Sequence, residues 1–308
     1  MSDPSHETHP AVGQGLRSRA EGLASALPPL LADAEHLAQT VLLGAHGRRR
    51  SGMGDEFWQY RPLAVGDEAR MIDWRRSAKS DMHFVREKEW QAAQSVMLWS
   101  DEALSMRFCG APGKRGSKGE RARLLALAIS VLLVRAGERV GLARMDAPPR
   151  SGPLQLIRIA DALAAAIEAE AAGSTAPDYG APRAEILPPQ SRAVFISDFL
   201  GDFDKAEAAL TGAADKGVRG AMLMVLDPME EDFPFDGRTI FESMGGSLAH
   251  ETRKAGDLRD RYLARLAERK DRLEMLARET GWLFTSHHTD EPAQKALLWL
   301  YGALERGH

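Results

Sequence analysis

Apolar runs in this sequence repeatedly end in residues that can carry chemistry. SVMLW (95–99) leads into Ser100–Asp101, RVGLARM (139–145) into Asp146, and AVFIS (193–197) closes on Ser197–Asp198. GAMLMVL (220–226) leads into Asp227, and WLFTS (282–286) into Ser286–His287–His288. Carboxylate and hydroxyl oxygens delivered by strands into turns suit a metal ion or a phosphate. Turns also favour Asp and Ser for backbone reasons alone. The densest case is VMLWSDEALSM, Val96 to Met106, with Ser100, Asp101, Glu102 and Ser105 within six positions.

Several chemistries can be weighed on these residues. A phosphatase built on Asp101 wants a second acid two positions on, where Ala103 stands. Ser105 as a nucleophile lacks an evident base and the Gly-x-Ser-x-Gly elbow. Adjacent residues on a strand point to opposite faces, so at most one of His287 and His288 faces a cleft, and the plainer expectation for such a pair is the surface. GAPGKRGSKG lacks the phosphate-loop spacing into Gly-Lys-Ser/Thr, and no Cys-x-x-Cys is present for structural zinc. Arg48, Arg49 and Arg50, then Arg75, Arg76 and Lys79, form a basic stretch, but Asp55, Glu56, Asp67, Glu68, Asp73 and Asp81 interleave it. An internal ion-pair network is the plainer account, and nucleic-acid binding is not expected.

The elements that must position these groups can be read from periodicity. Short runs that are apolar throughout suit strands covered on both faces, and their alternation with helix candidates at 119–136, 156–172, 203–216, 257–280 and 292–305 gives a doubly wound, mainly parallel α/β sheet. The long helix sets Leu258, Tyr262, Leu266, Leu273 and Ala277 along one stripe. A segment at 228–246 interrupts the rhythm and is read as a small hairpin. Residues 1–18 read as a disordered tail, 19–45 as an N-terminal helix (Leu23 to Leu43, interrupted at Pro28–Pro29), 46–92 as a small β-rich segment, and 93–308 as the α/β domain. In the segment, FWQYRPL and MHFVREKEW read as strands, and Asp73–Trp74 is expected to anchor it to the sheet.

The chain has 308 residues, 44% of them hydrophobic, with a formal net charge of −4 and one cysteine, Cys109. This composition supports an ordinary core, carries no global basic field for nucleic acid, and forbids an internal disulfide. The polar N-terminus is not expected to act as a secretory signal, and no apolar run approaches the ~20 residues of a membrane span. The expected location is cytoplasmic.

The stretch from Gly52 to Met106 contains Gly52, Gly54, Glu56, Phe57, Gly66, Asp67, Arg70, Ile72, Asp73, Trp74, Ser77 and Ala78 in a dense order. It resembles the signature of the bacterial domain-of-unknown-function family fifty-eight (DUF-58), in which a von Willebrand factor A-like (Rossmann-like) strand follows. The resemblance implies an A-type domain, which often carries a metal-ion-dependent adhesion site written Asp-x-Ser-x-Ser. That site takes Mg²⁺ and leaves one position for a partner's carboxylate. Laid on this chain, it keeps Asp101 and Ser105, has Ala103 in place of the middle serine, and takes Asp198 as the later aspartate. The threonine has no clear counterpart, with only Ser151 and Thr175 at hand. The site is therefore degenerate, with no cofactor or a weakly bound Mg²⁺.

The same resemblance implies an adaptor, not an enzyme, working with a MoxR-type AAA+ ATPase and other A-domain proteins in a chaperone-like assembly. Partner-binding candidates are Arg48, Arg49, Arg50, Asp73, Trp74, Arg75 and Glu102. The alternative is a Mg²⁺-dependent hydrolase using Asp101, Glu102 and Asp198.

Overall fold

A computed structural model describes residues 29–45, 57–64, 72–79, 82–88, 93–173, 175–243, 245–246 and 249–305. The expected tail, the arginine run 48–50 and all three glycines of the signature (Gly52, Gly54 and Gly66) lie outside these residues.

The central sheet has five strands: β3 (Ser95–Ser100), β4 (Arg139–Leu142), β5 (Arg192–Ser197), β6 (Arg219–Leu226) and β9 (Leu283–His288). All its pairings are parallel, and the spatial order is β4-β3-β5-β6-β9. In chain order that is 2-1-3-4-5, so the direction of winding reverses between β3 and β5. The carboxyl ends of these two strands carry Ser100–Asp101 and Ser197–Asp198, and Asp101 N–H donates to the Ile196 carbonyl at 2.9 Å.

Alternate strand residues feed two cores because successive side chains leave opposite faces of a sheet. Val96, Leu98, Val194, Ile196, Leu223 and Val225 pack under α1 (Pro29–Ala45), α3 (Lys118–Arg135), α4 (Pro153–Ala171) and α8 (Ala293–Glu305). Met97, Phe195, Met222 and Met224 pack under α5 (Phe203–Asp215) and α7 (Gly256–Thr280). α3 is buried nearly all round, from Ala122 to Leu133, because α1, α4 and α8 sheathe it against the sheet. Its start is fixed by a capping box, Ser117 with Glu120.

α1 begins at Pro29, where a missing N–H costs nothing, and buries Leu31, Ala34, Leu37, Ala38 and Val41 on α3 and α8. The expected interruption at Pro28–Pro29 is therefore the edge of the described helix. On α7 the expected stripe is present, with Leu266, Leu273, Leu276 and Ala277 buried. A hairpin is present but runs past the expected segment: β7 (Thr239–Glu242) lies within 228–246 and its partner β8 (Ala249–Thr252) beyond it, behind a short helix α6 (Pro228–Asp232).

In the β-rich segment, β1 (Phe57–Pro62) pairs antiparallel with β2 (Phe84–Lys88). Between them α2 (Trp74–Ser77) is capped by Asp73, whose carboxylate accepts from Arg76 N–H at 2.9 Å. The expected anchoring role of Trp74 is corrected: its side chain is 60% exposed and meets the His83 ring edge-on. A short helix placed directly after the capping aspartate turns the indole outward.

Candidate functional site

The site follows from the winding reversal. β3 and β5 end side by side, and each ends on a serine followed by an aspartate. Asp101 is 2% exposed. Its Oδ1 accepts from Ala103 N–H at 2.9 Å and its Oδ2 from the Ser197 hydroxyl at 2.6 Å. Burial pushes its carboxyl up to about 6, against the two hydrogen bonds and the Lys118 charge, with the Asp198 charge adding to the rise.

Asp198 Oδ1 accepts from Leu200 N–H at 3.1 Å. Ser197 Oγ accepts from Phe199 N–H at 3.0 Å and so holds this turn, where Phe199 adopts φ of +49°. That conformation is uncommon for a bulky residue and marks local strain. Both aspartates thus cap turns through backbone N–H groups, the plain role that turn chemistry gives them.

The decisive side chain is Lys118, the first residue of α3. It is 1% exposed, and its ammonium donates to Asp198 Oδ2 at 2.9 Å and to Glu230 Oε1 at 2.7 Å. Glu230 also closes a capping box on α6 by accepting from Asp227 N–H at 2.8 Å. Burial alone would pull the ammonium down, but the Asp198 and Glu230 charges outweigh it and hold its pKa above the ordinary lysine value. Glu230 is pushed up by burial, partly offset by Lys118. The ammonium is therefore charged at neutral pH, in the crevice where doubly wound folds usually take ligands.

Residues from a distant loop close this crevice. Leu104 and Ser105 N–H groups donate to the Pro177 and Asp178 carbonyls, both at 2.9 Å. Gly180 lies so close to Asp101 that a Cβ there would overlap its carboxylate. Ser105 is buried, and its hydroxyl has no hydrogen-bond partner among the described residues.

The donor set does not fit a divalent cation. Asp198 is committed to an ammonium, Ala103 offers no oxygen, and glycine backbone packs on Asp101. Glu102 turns away to pair with Arg144 at 2.8 Å. Ser151 and Thr175 are exposed. Among the described residues no three His, Cys, Asp or Glu side chains gather to hold a metal ion.

The remaining strand-end residues also resolve. Asp146 is exposed in a turn. Asp227 is fully buried and accepts from Gly110 and Met229 N–H groups at 3.0 and 2.9 Å. The expectation that the histidine pair lies at the surface is corrected for His287, which is 2% exposed. Arg121 donates to its Nε2 at 2.7 Å, and its Nδ1 faces Glu291 at 3.3 Å. Burial and then the Arg121 charge lower its pKa to about 4, so the ring is neutral. His288 bonds to Glu231.

Beside the crevice lies a cavity of about 130 Å³, lined by Trp99, Glu102, Arg144 and Arg183 among others. That is below the ~300 Å³ at which small-molecule pockets begin. Sequence reasoning missed Lys118 and Glu230 as site residues. The one available signal was that Lys118 follows Ser117 at the head of an apolar helix, as if its side chain were about to be buried.

Residues 59–272 match the family profile described as protein of unknown function DUF58. The chain belongs to this family. The match runs from β1 of the DUF58 segment into α7 and includes every residue of the lysine–carboxylate cluster. A search among curated proteins finds no significant match. Among solved structures, the DUF58 chain is similar to BatB from Bacteroides thetaiotaomicron, described as a conserved hypothetical protein. The identity is 16% and the TM-score 0.37, over 70% of this chain and 100% of that one. It is also similar to an aerotolerance-related membrane protein from Bacteroides fragilis, at 18% identity and TM-score 0.38, with the same coverage. These are distant likenesses, and the fold rests on the topology described above. No helix among the described residues is long and apolar enough to cross a membrane.

Proposed function

We propose that this DUF58 protein works by binding other proteins, as an adaptor, and not by catalysis. The observation that carries this reading is the buried Lys118 ammonium bonded to Asp198 and Glu230. It fills, with the chain's own charges, the crevice from which a doubly wound fold would otherwise work on a substrate. The three carboxylates of the hydrolase alternative are spent internally, Asp101 and Asp198 on hydrogen bonds within the crevice and Glu102 on Arg144.

On this reading the α/β unit is of the von Willebrand factor A type, and its metal-ion-dependent adhesion site is degenerate. Lys118 supplies internally the positive charge that a metal supplies in such domains. The partner is a MoxR-type AAA+ ATPase, together with other A-domain proteins, in a cytoplasmic chaperone-like assembly. The exposed Trp74, beside Arg75, offers an aromatic–arginine contact of the sort enriched at protein interfaces.

Two measurements test this. Purified MoxR-type ATPase should be retained by the immobilised chain, with and without ATP. Calorimetric titration with Mg²⁺ and with Mn²⁺ should give no saturable heat. A saturable metal isotherm abolished by Asp101→Ala, with no ATPase retained, would replace the adaptor reading with the hydrolase.

A further inference from the structure

A second concave site lies away from the crevice, between the β7–β8 hairpin and α7. Its cavity, about 440 Å³, is lined by Phe233, Phe241, His250, Leu258, Arg261, Tyr262 and Arg265. Its shape follows from two simple periodicities. Phe241 and His250 are cross-strand partners, so both side chains leave the same face of the hairpin. Leu258, Arg261, Tyr262 and Arg265 sit at i, i+3, i+4 and i+7, one stripe of α7. Phe233 fills the floor, 5.1 Å from the Tyr262 ring and 5.6 Å from the Phe241 ring. The site therefore has an aromatic floor and a cationic rim.

The rim decides the ligand. Arg261 and Arg265 are exposed, stand one helical turn apart, and have no ion-pair or hydrogen-bond partner among the described residues. Two like charges at i,i+4 destabilise a helix by themselves. No acidic side chain lines the cavity. The chain as a whole carries a net −4, so an unpaired basic rim around aromatic rings is a local exception.

We infer that this groove docks an acidic peptide segment of a protein partner. An aromatic or aliphatic side chain of the segment enters the cavity, and flanking carboxylates meet Arg261 and Arg265. The inference rests on the reading of the chain as a protein-binding component and names the chemistry of what it binds.

The test uses the full chain and a fluorescein-labelled peptide, Glu-Asp-Phe-Glu-Leu-Glu-Asp, followed by anisotropy, with a Lys-for-acid version as control. The acidic peptide should bind saturably and the basic one should not, and the difference should fade in about 1 M salt, where screening reaches only ~3 Å. The double variant Arg261→Glu/Arg265→Glu changes only exposed side chains. It should weaken the acidic peptide about tenfold, equivalent to ~1.4 kcal/mol, and gain affinity for the basic one. Phe241→Ala should weaken binding in low and high salt alike, with far-UV circular dichroism confirming the fold.

Equal affinity for both peptides, or no effect of the charge reversal, would overturn the inference. So would charge-reversal-sensitive binding only to vesicles rich in phosphatidylglycerol, or self-association that masks the groove. ATPase retained equally by wild type and double variant would leave the adaptor reading standing and sink the groove. Peptide binding as expected with no ATPase retained would do the reverse.

Discussion

Replacing Lys118 by Met removes the central charge of the crevice while keeping most of its volume. Asp198 and Glu230 are then left without the ammonium that satisfies both, at sites 2% and 12% exposed. Breaking a buried pair by deleting one partner costs about 3–5 kcal/mol. For a domain of this size each kcal/mol moves the melting temperature by ~2–4 °C, so Lys118→Met should melt about 6–20 °C lower at neutral pH.

The pH dependence gives a sharper test. Lys118 lowers the carboxyl pKa of both Asp101 and Glu230, which burial pushes up. Without it they rise further above their unfolded values. A carboxyl raised in the folded state is penalised when ionised, and the penalty fades as pH falls through its folded pKa. The deficit of Lys118→Met should therefore be largest near pH 8 and shrink toward pH 5. In wild type the lysine's folded pKa lies above its ordinary 10.5, so its contribution is complete at neutral pH and is lost only as pH rises beyond that value. Differential scanning calorimetry at pH 5, 6.5 and 8 reads the deficit and its shrinkage on acidification, and a scan of wild type above pH 10.5 reads the loss of the ammonium. A variant melting within about 2 °C of wild type at pH 8 would refute the claim that the ammonium holds the crevice together.

Two buried groups should oppose each other between pH 4 and 6.5. Asp101, raised from 3.8 to about 6, loses stability as pH rises through that window, whereas His287, lowered from 6.5 to about 4, loses it as pH falls. Each slope is worth up to ~3 kcal/mol. Urea midpoints of wild type should thus be nearly flat, Asp101→Asn should lose stability steadily on acidification, and His287→Gln should gain it; three parallel profiles would contradict this. Gly180→Ala should cost about 1–3 kcal/mol by forcing the 177–180 loop off Asp101, and an unchanged melting curve would mean that the loop does not close the crevice.

Much of this architecture is legible in the residues alone. SVMLW, AVFIS and GAMLMVL can only be strands covered on both sides, because water would meet an apolar side chain on either face. Alternation with amphipathic runs then forces a parallel, doubly wound sheet, and Asp101 and Asp198 fall at strand ends by the same reading. The hairpin and the stripe of α7 were visible as a break in rhythm and as a helical period. Local pattern also set limits. It could not tell that the indole of Trp74 faces outward, because a four-residue helix has no period to read. It expected His287 at the surface, because a strand end gives no sign of the arginine that will cover it.

The sequence by itself determined which residues stand at the ends of β3 and β5, since strand period and turn chemistry are local. Only the tertiary structure decided what fills the space between them. Lys118 is 80 residues from Asp198 and 112 from Glu230 along the chain. It meets them because the 2-1-3-4-5 order sets the head of α3, the end of β5 and the turn after β6 around one crevice. Contacts of that span depend on strand order and helix packing, which no short stretch of sequence encodes.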